Sequence, residues 1–300
     1  MKYLITVFAA WLLVAMHLNA DTWVCGALTL HQVSGEVVLT ELGEGAVEFG
    51  NGQMPVTTSG LINCAAAYGS SAFFSTSNRS YIYFAGDGSF AIERFEQIVP
   101  DAATWGASER ETTQSRMIVN FRAGDIIIDS RNMLESSQCL IETPLGRLTV
   151  KRALWQMRIA FDPRSQIFDF TITCSDGRVR FTDLQGQQYT LRAGQRLAGA
   201  GARKTPSIEV GEKTDRSLEQ MQRYKELADI YLAAGHDLAQ YLGHLQPIEQ
   251  GARQAALAPS EHSKASIRRP IVIEYAKDPD PVTPFRGEMK PPSAFQADLF

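Results

Sequence analysis

Between residues 117 and 197 the chain alternates apolar and polar side chains with a period of two, a pattern that fits a β-strand with one buried face. Trp155, Met157, Ile159 and Phe161 fall on one side of a strand, and Gln156, Arg158 and Ala160 on the other. Phe168, Phe170, Ile172 and Cys174 repeat the arrangement against Asp169, Thr171 and Thr173. Further strand candidates lie at 27–30, 36–40, 72–75, 81–85, 90–95, 117–121, 126–129, 140–143 and 147–150. Turn residues separate them: Gly43-Glu44-Gly45, Gly50-Asn51-Gly52, Gly86-Asp87-Gly88, Asp162-Pro163 and Gln185-Gly186. Residues 100–115 are polar and carry Trp105, which reads as a loop or a short helix over one edge. The expected class is mainly β, either a short-strand solenoid or a sandwich-like stack.

The N-terminal 20 residues have the layout of an export signal. Lys2 supplies the positive charge, residues 3–16 are apolar apart from Thr6, and Leu18-Asn19-Ala20 ends in a small residue suited to cleavage before Asp21. The run is shorter than the ~20 residues a spanning helix needs. The expectation is a periplasmic or secreted protein, touching a membrane only if this segment stays uncleaved. Lys2 is the one charge among these residues, so cleavage moves the formal net charge from −4 to −5. That acidic balance argues against a nucleic-acid partner, whose usual footprint is a basic patch. Cys25, Cys64, Cys139 and Cys174 remain. Four cysteines in an exported chain allow two disulfides in three pairings, and neighbours along the chain, Cys25–Cys64 and Cys139–Cys174, are the first choice. The alternative is four small buried hydrophobes. No C-x-x-C spacing points to zinc or to redox chemistry.

The folded β-region is expected to span 21–198, followed by a small, polar linker over 199–214. A helix is expected over 215–246. Leu218, Met221, Tyr224, Ala228, Tyr231, Gly235, Leu238, Leu242 and Leu245 recur in steps of three and four along one face. Such a stripe either packs on the chain's own sheet or self-associates. Residues 247–300 hold a Pro-rich tail, with seven of the 13 prolines between Pro259 and Pro292. Dense proline with low hydrophobicity reads as extended or disordered chain. One island, Ile271-Val272-Ile273-Glu274-Tyr275, has strand character and follows Arg268-Arg269-Pro270. It suits addition to a sheet edge, of this chain or of a partner. The candidate contact residues are therefore Leu218, Met221, Leu238, Ile271, Ile273 and Tyr275.

No catalytic constellation stands out. His236 and His244 are eight residues apart, not the four that put two metal ligands on one helix face. His31 follows an apolar strand and has the chemistry of a general base, but no nucleophile is specified for it. Neither a G-x-S-x-G elbow nor a phosphate loop is present. The expectation is a non-enzymatic protein with no cofactor and no metal site. Phe73, Phe74, Tyr81, Tyr83 and Phe84 cluster within a dozen residues. They read either as a patch that stacks on sugars, making the chain a secreted carbohydrate-binding module, or as filling for both faces of a buried sheet.

A run of short motifs resembles the FecR-like domain family over about residues 27–197. Val33-Ser34-Gly35-Glu36-Val37 is similar to its first-strand element, and Gly86-Asp87-Gly88-Ser89 to its central turn. Val119-Asn120-Phe121-Arg122-Ala123-Gly124-Asp125-Ile126 resembles a strand pair, and Ile141-Glu142-Thr143-Pro144-Leu145-Gly146 the Thr-Pro stretch. Ser175-Asp176-Gly177-Arg178-Val179 and Leu191-Arg192-Ala193-Gly194-Gln195 are similar to the closing elements. Arg152-Ala153-Leu154-Trp155 stands where the family has a Gly-Thr element, and residues 41–71 match poorly. The resemblance implies a periplasmic β-rich domain that acts by protein contact. The best-known members pass a signal through a membrane helix to a cytoplasmic sigma-factor-binding segment. Here the apolar run starts at residue 3, so the expectation is a chain without that segment. The expected role is an interaction, scaffold or signalling module at the cell envelope, with another envelope protein as partner.

Overall fold

The computed structural model describes residues 22–41, 45–202, 207–212, 215–233, 241 and 244–245. Fifteen strands form one connected, mainly antiparallel sheet. They are β1 (Trp23–Cys25), β2 (Ala27–Ser34), β3 (Val37–Glu41), β4 (Ala46–Phe49), β5 (Gly52–Ser59), β6 (Ile62–Ala66), β7 (Ser71–Thr76), β8 (Tyr81–Ile98), β9 (Ser115–Asp129), β10 (Gln138–Thr143), β11 (Gly146–Asp162), β12 (Ile167–Asp183), β13 (Gln188–Arg192), β14 (Gln195–Ala202) and β15 (Ser207–Glu212). A short helix, α1 (Ala102–Ala107), joins β8 to β9, and a longer one, α2 (Asp215–Ala233), follows β15. The expected mainly-β class is what the chain adopts.

Four strands are far longer than the sequence pattern indicates. Residues 81–85 and 90–95 are one strand, β8, and 117–121 and 126–129 are one strand, β9. The Gly86-Asp87-Gly88 stretch read as a turn lies inside β8, where the pairing with β9 slips between Ala85 and Ser89. A bulge and a turn both use left-handed backbone, so the local residues look alike. Each long strand carries such a residue at its middle: Gly86 (φ 89°) in β8, Gly124 (φ 104°) in β9, Arg152 (φ 44°) in β11 and Gly177 (φ 76°) in β12. Bends at one level in four adjacent strands fold the sheet over on itself.

The result is two leaves. The first runs β5-β2-β7, then residues 81–85, 125–129, 154–162 and 167–174 of the long strands, then β14-β15. The second runs β4-β3-β6, then residues 88–97 and 115–123, then β10, residues 146–151 and 178–183, and β13. Residues from both leaves share one buried cluster, with Leu30, Phe84, Trp155 and Phe170 from the first and Val37, Phe90, Val119 and Phe181 from the second. Phe84 and Phe90 meet edge to face at 5.1 Å, and Phe170 and Phe181 lie 5.8 Å apart. The two faces close on one core, which decides for a sandwich-like stack over a solenoid.

The stretch expected as a linker is partly sheet. Residues 199–202 complete β14, and β15 adds a further strand. Small residues there serve packing: a Cβ on Gly199 would stand 2.4 Å from the Phe170 ring. Phe161 departs from its strand's inward row, being 40% exposed where the first leaf extends beyond the shared core.

At the fold line, a Cβ on Gly177 would lie 2.4 Å from the Arg152 carbonyl oxygen, whereas one on Gly194, also at positive φ, meets nothing within 4 Å. Both alanine substitutions carry the left-handed penalty of roughly 1–2 kcal/mol. Gly177→Ala is expected to cost about 1–3 kcal/mol more for the forced backbone shift. Urea unfolding of the two variants measures the difference, and equal midpoints would show that the bend tolerates a side chain.

Candidate interaction surface

Strand alternation gives the first leaf a second apolar face, pointing away from the core. Phe74, Ile82 and Phe84 turn inward, and Phe73, Tyr81 and Tyr83 turn outward. An aromatic row of this kind needs cover, and α2 supplies it. Met221, Tyr224 and Ala228, with Leu227 beside them, pack on Phe73, Tyr81, Tyr83, Ala85, Ile127 and Leu154. The spacing of three and four puts those helix residues on one stripe, while Gln222, Arg223, Lys225 and Glu226 face solvent. Phe73 stacks on Tyr81 at 5.9 Å and meets Tyr224 at 6.2 Å.

This corrects the sugar-stacking reading of the aromatic cluster. Phe74 and Phe84 are core residues, and Phe73, Tyr81 and Tyr83 are no more than 2% exposed beneath α2. No face of that cluster is open to a glycan.

Two polar anchors seat the C-terminal part on the leaf. The first stands at the end of β9. The Tyr224 hydroxyl donates to Asp129 Oδ2 at 2.7 Å. Arg131 donates to the same carboxylate twice, from Nε to Oδ1 at 2.9 Å and from Nη2 to Oδ2 at 2.7 Å. Its backbone N–H adds a third bond at 3.1 Å. Burial, then the neighbouring Asp129 charge, pushes the Tyr224 phenol far up, so it remains a donor. The hydrogen bonds to Asp129 hold the Arg131 guanidinium charged. Thus a carboxylate buried at the helix–sheet boundary has its acceptor positions filled from both sides.

The second anchor gathers around the β7–β8 turn. Ser75 Oγ lies 2.6 Å from the Tyr241 hydroxyl and 2.6 Å from His31 Nε2. Tyr241 meets the Trp105 ring edge-on at 6.0 Å, in a small apolar cluster with Ala27 and Leu245. On Trp105 the Arg79 guanidinium stacks at 3.4 Å, and Arg79 also donates to the Trp105 carbonyl oxygen at 2.6 Å. Trp105 is placed by α1, whose first turn is capped by the Asp101 carboxylate accepting from the Thr104 N–H at 2.9 Å. Arg79 sits at φ 64°, unusual for a side-chain-bearing residue, in a turn, residues 77–80, that is buried throughout. Ser77 accepts from the Ala27 N–H and donates to Gln97, and Asn78 donates to Ser115.

His31 therefore has a hydroxyl neighbour, but Ser75 is fully buried and also bonded to Tyr241. Burial lowers the His31 pKa to about 4, so the imidazole is neutral near pH 7. Its ring also lies 6.1 Å from the Phe73 ring. Among the described residues, no group of three or more His, Cys, Asp or Glu is placed to hold a metal ion. No helix among them is long and apolar enough to cross a membrane.

Of the candidate contact residues, Met221 is buried against the chain's own leaf. The Leu218 side chain, Leu238, Ile271, Ile273 and Tyr275 lie outside the described residues. The four cysteines are free thiols and the expected pairing is absent. Cys25 stands opposite Glu96 and Cys64 opposite Phe90 on the same side of β8. Six residues along a strand is about 20 Å, well beyond the span of roughly 4.4–6.8 Å between bridged Cα atoms. Cys139 in β10 and Cys174 in β12 have β11 between them. Burial raises the Cys25 and Cys64 thiols and pushes Cys139 up to about 12. Asp129, Arg131 and Tyr241 escape sequence reasoning. Asp129 reads as the polar end of a strand, and Tyr241 competes with Leu242 for one place in the three-and-four spacing between Leu238 and Leu245.

No family model matches the chain, and no curated protein matches it. Two crystal structures, each provisionally described as that of an anti-sigma factor from Parabacteroides distasonis, are weakly similar. One has a TM-score of 0.35 and 7% identity over 53% of this chain and 63% of that one. The other has a TM-score of 0.34 and 8% identity over 52% and 62%. The chain thus spans less than two thirds of either, and at this level the likeness carries no conclusion about function.

Tyr224→Phe removes one bond to a charged acceptor, worth about 1.5–3 kcal/mol. Transient release of α2 should rise about tenfold or more, read as faster tryptic cleavage after Arg223 and Lys225 by mass spectrometry. Unchanged cleavage would show that the apolar stripe alone seats the helix. His31 gives a pH signature. Its folded pKa of about 4 lies below the ordinary 6.5, so the unfolded chain binds the extra proton between those values. Its stabilising effect is complete above pH 6.5 and is lost as pH falls towards 4. Allowing for solvent on its open side, wild type should lose about 1–2 kcal/mol more than His31→Gln over that window in urea titrations.

Proposed function

We propose that this is an exported, non-enzymatic protein that works as an interaction, scaffold or signalling module at the cell envelope, through contact with another envelope protein. The N-terminal segment with the layout of a cleavable signal supports export. The ordered FecR-like motifs support a domain that acts by contact. The observation that carries the reading is the seating of the C-terminal part. Tyr224 on Asp129 ties α2 to the outer aromatic face, and Tyr241 on Ser75 adds a second tie at the same leaf. The Pro-rich tail follows these anchored residues in sequence. Proline-rich chain holds binding segments extended at low ordering cost, which suits the tail to partner capture.

Removing residues 247–300 tests this and leaves both anchors in place. A deletion from residue 215 would instead strip the cover from Phe73, Tyr81 and Tyr83 and confound the result with aggregation. The truncated protein is expected to keep its Tm while its capture of cross-linked partner from envelope extract falls at least tenfold. Equal capture by the two forms would overturn the reading.

A further inference from the structure

We propose that the outer face of the second leaf, where β11, β12 and β13 lie side by side, docks onto the phosphate headgroups of an anionic lipid surface. The alternation that sends Leu148, Val150, Val179, Phe181 and Leu191 into the core leaves five cations outside. They are Arg147 and Lys151 on β11, Arg178 and Arg180 on β12, and Arg192 on β13. All five are exposed. The register sets Lys151 opposite Arg178 and Arg178 opposite Arg192, so three cations form one cross-strand row. Arg180 stands in the next row, between Thr149 and Thr190. Side chains within a row are about 5 Å apart at their Cβ atoms, and rows are about 7 Å apart.

Like charges directly opposite one another destabilise a sheet, and little in the chain relieves them here. Among the described residues, the one ion pair in the patch is Arg147 with Glu142 at 2.9 Å. Asp183 is near in sequence, but its carboxylate accepts from the N–H groups of Gln185 and Gln187 in its own turn. Further acids of the leaf stand towards the other end of its strand order, Glu93 and Glu96 on β8 and Glu41 and Glu48 on β3 and β4. A chain of formal net charge −4 thus gathers five cations against one carboxylate on a single sheet face. An external layer of anions would turn that repulsion into attraction.

Three features favour lipid phosphate as that layer. Four of the five cations are Arg, whose planar fork matches pairs of phosphate oxygens. Between them stand Thr149, Thr182 and Thr190, which offer no aromatic platform for nucleic-acid bases and no apolar anchor of the kind that centres a specific protein contact. At the end of the patch, Leu184 is 45% exposed in the turn joining β12 to β13. An exposed leucine on a hairpin tip beside clustered cations suits the headgroup boundary, where apolar insertion adds to charge attraction. α2 covers the outer face of the other leaf, so docking here leaves the helix turned away from the lipid. Such contact is peripheral and does not depend on residues 1–20.

Sedimentation of the full chain with vesicles of phosphatidylglycerol and phosphatidylcholine, against phosphatidylcholine alone, tests the proposal. The apolar residues 3–16 would bind both kinds, so the difference between them reads the cations. Binding to the anionic vesicles is expected, with release at high salt. Arg178→Glu combined with Arg180→Glu should weaken it about thirtyfold or more, each cation near an anionic leaflet counting for about fivefold. The same pair of substitutions replaces a like-charge row by an alternating one, so Tm should hold or rise while binding is lost. Thr149→Lys should strengthen binding about fivefold. Equal retention on the two kinds of vesicle would overturn the proposal, as would a double variant that binds like wild type. Retention on neither, with binding to poly-L-glutamate instead, would assign the face to an acidic protein and overturn the lipid form. No envelope protein is present, so the outcome is separate from that of the capture experiment.

Discussion

Four long strands bend at one level, and at that level neighbouring backbones come closer than side chains allow. A Cβ on Gly88 would stand 2.1 Å from the Ala123 carbonyl oxygen, as a Cβ on Gly177 would crowd the Arg152 carbonyl. Everything else follows from that close approach. Without it the long strands would continue straight, and their inward rows would face water. With it, Phe84 meets Phe90 and Phe170 meets Phe181 across one core. Burying each such ring contributes about 1.5–3 kcal/mol, so the crease gathers the apolar area that holds the domain together.

Folding the sheet double also creates a demand on its outside. Residues 81–85 are buried on both faces, inward by the second leaf and outward by α2. The helix is joined to the sheet by an apolar stripe and by the Tyr224 hydrogen bond to Asp129, and Tyr241, further along the chain, bonds Ser75. Apolar contact is tolerant of sliding, whereas a carboxylate that takes bonds from Tyr224 and Arg131 fixes one position. The stripe gives the association its strength, and the polar anchors give it register.

Much of this was legible from residue order. The alternation of Trp155, Met157 and Ile159 marked core positions, and all three are buried. The stripe of Met221, Tyr224 and Ala228 marked a helix face that needed a surface. What remained hidden depends on distant neighbours. Gly86-Asp87-Gly88 carries the residues of a turn, and only β9, pairing on both sides of it, makes it a bend. Gly199-Ala200-Gly201-Ala202 has the composition of a linker, and only the Phe170 ring shows why the strand there must be small. His31 and Ser75 lie 44 residues apart and meet through the pairing of β2 with β7, which no local pattern announces.

The four unbridged cysteines bear on how this molecule meets an oxidising environment. Thiolate is the reactive form, and Cys64 and Cys139 are buried with their ionisation strongly disfavoured. Cys174 is enclosed as fully, with its sulfur turned towards the Asp176 carbonyl oxygen. These three thiols are thereby shielded from oxidants and thiol reagents in the native state, whereas Cys25 is only partly buried and the unfolded chain offers all four. Three core sulfurs thus act as an internal clock: each one that becomes modified records a moment when the two leaves came apart.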